Sequence, residues 1–79
     1  MVETRVATRF RVMKTARIEH GGDKTACILY DLSTTGAAIE VENSAIVPEN
    51  FTLVVPEDGL KLQCRVVRRS NFRIGVAFD

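Results

Sequence analysis

Two short patterns in this chain hold side chains at spacings suited to chemistry. The first is Arg5-Val6-Ala7-Thr8-Arg9. In extended backbone, Arg5 and Arg9 stand roughly 13 Å apart at Cα and point to the same side. A guanidinium is a planar, bidentate donor suited to phosphate oxygens and to the edge of guanine. The second is Asp31-Leu32-Ser33-Thr34-Thr35-Gly36. On a strand, its carboxylate and hydroxyl share one face. Arginine supplies eight of the eleven basic residues, so a pair spaced by four is expected by chance. At average residue usage, D-x-S-x-x-G arises in only a few per cent of chains this size, roughly. Each residue also has a plainer use. Asp31 and Ser33 suit the backbone donors of a turn, and Gly36 suits a positive φ.

Other chemistry finds little support. His20 sits beside Gly21-Gly22 in a predicted hairpin loop, with no nucleophile in context around it. Glu40 and Glu42 fall on an outward strand face, and neither G-x-G-x-x-G nor a phosphate-binding P-loop occurs. No catalytic residues and no enzyme are expected. With one histidine and no C-x-x-C, no metal site or cofactor is expected. Cys27 and Cys64 lie in apolar runs and read as buried free thiols. The chain has 79 residues, 46% hydrophobic and 27% charged, with net charge +1, the composition of one globular domain. The near-zero charge argues against DNA or RNA as partners. No apolar run is long enough to span a membrane and no leader is visible, so a cytoplasmic setting is expected.

Apolar residues alternate with period two, which predicts strands. Val12, Lys14, Ala16 and Ile18 share a face of the first. In the second, 25–33, Cys27 and Leu29 oppose Ile28, Tyr30 and Leu32. In the third, 36–42, Ala37, Ile39 and Val41 point inward. Phe51, Leu53 and Val55 mark a fourth; Leu60, Leu62, Cys64 and Val66 a fifth; Phe72, Ile74, Val76 and Phe78 a sixth. His20-Gly21-Gly22-Asp23-Lys24, Ser33-Thr34-Thr35-Gly36, Pro56-Glu57-Asp58-Gly59 and Ser70-Asn71 supply turns, and 43–50 has room for one helical turn near Ala45-Ile46-Val47. Six short strands with one apolar face each are best served by closure into a small antiparallel barrel. Residues 1–11 read as an N-terminal arm and 12–79 as the barrel.

The two patterns together resemble those of the PilZ domain, a bacterial receptor family for cyclic di-GMP. Its marks are R-x-x-x-R in an N-terminal arm and [D/N]-x-S-x-x-G at a strand end. Ala37 after the second pattern is usual there, and Cys64-Arg65-Val66-Val67 and Arg73-Ile74-Gly75-Val76-Ala77-Phe78 are similar to the family's closing strands. The resemblance implies an all-β, six-stranded antiparallel barrel and ligand contacts at Arg5, Arg9, Asp31, Ser33 and Gly36. Arginine forks would take guanine edges or phosphates, and Asp31 would accept from guanine N1 and N2. Arg11 is a candidate third contact. Thr4 stands where relatives often have a basic residue, a position associated with binding one ligand molecule or two. Arg68 stands where relatives often have tryptophan, and a guanidinium plane also stacks on a base.

The implied function is non-enzymatic reception of cyclic di-GMP. The arm is expected to be mobile when free and to order over the nucleotide, changing the surface offered to a downstream protein partner. The alternative is a PilZ-like adaptor that works through protein contacts without nucleotide; such members usually lack the motif residues present here. A single-stranded nucleic-acid binder would need exposed aromatic rings, whereas Phe51, Phe72 and Phe78 are expected to face inward.

Overall fold

The computed structural model describes the backbone from Arg9 onward and side chains from Val12 onward. Six strands form: β1 (Arg9–His20), β2 (Asp23–Ser33), β3 (Gly36–Glu40), β4 (Asn50–Val55), β5 (Leu60–Arg69) and β6 (Arg73–Phe78). Every pairing is antiparallel, and the order β1-β2-β3-β6-β5-β4 closes through β1 against β4. This is the all-β barrel expected from alternation. Closure matters for so short a chain, because it leaves no sheet edge open to another strand.

The connectors follow local chemistry. Gly21 and Gly22 both have positive φ (58° and 91°), as a two-residue hairpin of this hand requires. Pro56 opens a 3-10 turn, Pro56–Asp58, which Gly59 ends in the left-handed region. A second 3-10 turn, Ser44–Ile46, lies where one helical turn was expected, and the Asn43 side chain accepts from the Ala45 N–H at its start. Above the barrel end that carries the Pro56–Asp58 turn, Lys14 donates to Asp58 at 2.6 Å. That explains the one break in the apolar face of β1.

The core gathers Ala16, Ile18, Cys27, Leu29, Ile39, Phe51, Leu53, Val55, Cys64, Ile74 and Val76. These are the inward positions that alternation assigns. Three details differ. β3 ends at Glu40, although Val41 remains buried. Leu32 pairs with Ala37, which packs on the core, so it leaves the face assigned to Tyr30. Phe72 lies in the connector before β6 and is 60% exposed, not inward. Its carbonyl accepts from Val41 N–H at 2.8 Å, so the chain reaches strand geometry only at Arg73.

Cys27 and Cys64 are free and buried. Burial raises each thiol from 9.0 to about 11. Between those values the folded chain holds more protons than the unfolded one. Stability from this source is therefore complete below pH 9.0 and declines as pH rises toward about 11. Urea midpoints measured from pH about 8 to 10.5 should fall more steeply for the native chain than for Cys27→Ala, whose profile loses one such titration. Parallel profiles would contradict burial of that thiol.

Candidate functional site

The site is built by three interruptions of the β ladder. Along β1 the register passes from Arg11↔Asp31 to Lys14↔Leu29, three steps against two. Along β2 it passes from Leu29↔Ile39 to Asp31↔Ala38, two steps against one. Along β5 it passes from Val66↔Val76 to Arg68↔Gly75, again two against one. Each is a β-bulge, a device that turns a strand and re-aims its side chains.

The consequence follows from parity. Without a bulge, Asp31 would share the inward face of Leu29, and Arg68 that of Val66. With Tyr30 and Val67 as the extra residues, Asp31 pairs beside outward Ala38 and Arg68 beside outward Gly75. Directly opposed residues in antiparallel strands project to the same side. One row of the sheet thus runs Asp31, Ala38, Gly75, Arg68 by register, with the backbone of Arg11 paired to Asp31. The next inward row runs Lys14, Leu29, Ile39, Ile74, Arg69. Arg69 accordingly turns into the barrel end, where its Nη1 donates to the carbonyls of Val47, at 2.8 Å, and Ser44. Two adjacent arginines have opposite tasks because a single bulge precedes them.

Between the arginine and aspartate walls lies a shallow groove of about 360 Å³. Its floor is the outer face of β3 and β6, where the cross-strand pairs are Gly36–Ala77 and Ala38–Gly75. All four residues are small, so a flat group has room to approach the sheet. Arg68 lies beside this floor: a Cβ placed on Gly75 would stand 3.6 Å from Arg68 Cβ and 3.9 Å from its Nε. Asp31, at 8% exposure, and Ser33 line the opposite wall.

Ser33 and Gly36 also have structural duties. Ser33 Oγ accepts from the N–H groups of Gly36 (3.1 Å) and Thr35 (3.3 Å), tying the β2–β3 turn. Gly36 has no positive φ. Its lack of a side chain serves close packing instead, since a Cβ there would lie 2.2 Å from the Val76 carbonyl oxygen.

The structure brings Asp31, Ser33, Gly36 and Arg68 to one groove. Arg9 stands opposite Ser33 in register, and Arg11 opposite Asp31. Thr4 and Arg5, and with them most of the expected 1–11 arm, lie outside the described residues. Sequence reasoning passed over Ala38, Gly75 and Ala77. Their signal was available: small residues at successive outward positions, where polar side chains usually stand.

A family model described as PilZ domain matches residues 3–79. The chain belongs to this family, whose members typically bind cyclic di-GMP and are generally binding or adaptor domains rather than enzymes. A search of curated proteins found no match.

The two motif residues with turn duties give a direct test without ligand. Ser33→Ala removes the acceptor of two turn N–H groups and should cost about 1–2 kcal/mol in urea unfolding. Gly36→Ala must push β3 from β6 and should cost about 1–3 kcal/mol. Unchanged midpoints for both would contradict the structural roles assigned here.

Proposed function

We propose that this PilZ domain is a receptor for cyclic di-GMP and takes the nucleotide on the outer face of β3 and β6. The observation that carries this reading is the register. Arg9 of the first pattern is opposite Ser33 of the second, and Ser33 lines a groove floored by small residues.

The roles follow from residue chemistry. A base lies flat over Ala38, Gly75 and Ala77, where no side chain longer than a methyl intervenes. The Asp31 carboxylate accepts from guanine N1–H and N2–H, and its near-complete burial makes such bonds strong. Arg68 offers its guanidinium plane or its donors to a base or a phosphate from the far wall. Arg5 from the N-terminal arm and Arg9 from the start of β1 supply bidentate donors, and Arg11 continues that set at the level of Asp31. Ser33 contributes mainly by shaping the turn, because its hydroxyl already accepts two backbone bonds. Thr4 offers a hydroxyl in place of a cation, so it adds no positive charge toward the phosphates. Arm ordering on the nucleotide is the signal, read by a downstream protein partner. The setting is bacterial and cytoplasmic, and reaction chemistry has no part in the function.

Titration calorimetry with cyclic di-GMP, with GTP as control, tests the reading. Arg9→Lys keeps the charge but loses the fork, and should weaken binding by roughly 1–3 kcal/mol. Ala38→Leu fills the groove from an outward position and should abolish binding while leaving the melting temperature nearly unchanged. No heat with cyclic di-GMP, or native affinity in Ala38→Leu, would overturn the proposal.

A further inference from the structure

Beyond the Asp31-to-Arg68 row, the outer face of β1, β2 and β3 carries a second concavity of about 510 Å³. Its lining is mostly apolar or small: Thr15, Ala26, Ile28, Val41 and Phe72. The charged residues that line it, among those described, are Glu40 and Glu42. Phe72 lines it at 60% exposure.

The ring stands on a firm mount. The Phe72 carbonyl accepts from Val41 N–H at 2.8 Å, and the Asn71 carbonyl from Ser44 N–H at 3.2 Å. Arg69 and Ser44 tie the same two connectors together. An exposed aromatic held in place by rigid backbone loses little entropy on binding, which is the property of an interface anchor. The acidic rim selects the occupant. Glu40 is only loosely engaged, with Arg73 Nε at 3.7 Å, and both members of that pair are about half exposed. Glu42 lies at the surface. Carboxylates on both rim positions repel acidic peptides and anionic lipid headgroups, and favour lysine or arginine beside an apolar anchor.

We propose that this groove is a docking site for a cationic, amphipathic segment of a partner protein, with an apolar side chain packed against Phe72 and a basic one at Glu42. The site shares β2 and β3 with the nucleotide groove but uses none of its residues. It stands whether or not the chain binds nucleotide.

The test is an NMR titration of the full chain with a synthetic amphipathic helix of leucine and lysine. Its twin of leucine and glutamate serves as control. The lysine peptide should shift the amides of Thr15, Ile28, Val41 and Phe72 in a saturable manner, and the glutamate peptide should not. Phe72→Ser should weaken the lysine peptide about tenfold, as loss of an aromatic anchor does. Glu42→Lys should weaken it about fivefold, the upper range for an exposed ion pair. Both substitutions are at exposed positions, and unchanged melting temperatures will show that the variants fold. Shifts centred elsewhere, equal binding of the two peptides, native affinity in both variants, or self-association through this face would overturn the proposal.

Discussion

Strict alternation is the constraint on which this site depends. A β-strand can offer only every second residue to one side, and the barrel claims the inward set for its core. Polar residues of three strands that are to line one outer groove therefore need their parity adjusted locally. The bulges at Tyr30 and Val67 do this for Asp31 and Arg68, and the extra residue in β1 lets Arg11 keep level with Asp31. The same height is covered by three residues on β1, two on β2 and one on β3.

The inward row also shows how a small core is closed at its ends. Leu29, Ile39 and Ile74 are almost fully buried, and the row terminates in two cations, Lys14 and Arg69. Neither is left without partners: Lys14 meets Asp58, and Arg69 meets two loop carbonyls. Their charged heads tie the Pro56–Asp58 turn and the 44–47 connector to the strands. On the outer face, Arg73 lies over the Tyr30 ring, 5.0 Å from its centroid, and approaches Glu40. The bulge residue of β2 is thus braced from β6, on the boundary between the two grooves.

Most of the barrel was legible in the sequence because burial has a period. The inward sets of the first, fourth and fifth strands and the two cysteines follow from alternation alone. Three things were not. A bulge leaves no mark in apolar periodicity when polar residues follow it, so the position of Leu32 and the opposite tasks of Arg68 and Arg69 were hidden. Phe72 continued the pattern of Ile74, Val76 and Phe78, but backbone bonding to Val41 holds it in the connector. Gly36 suggested a positive φ, whereas its requirement is contact with Val76 across the sheet. Of the candidate site, the Asp31 turn could be found by type and spacing, and Arg68 only through the family resemblance. The small-residue floor needed the register, since only pairing sets Ala38 beside Gly75.

If the arginine pattern, the Asp31 turn and Arg68 all face one ligand, amide chemical shifts recorded as cyclic di-GMP is added will report it. Concerted, saturable changes are expected at Arg9, Arg11, Asp31, Ser33, Gly36, Arg68 and Gly75, with a near-silent response at Glu57, Asp58 and Gly59. Saturable changes that spare Arg68 and Gly75, or that centre on the Gly21-Gly22 hairpin, would contradict it.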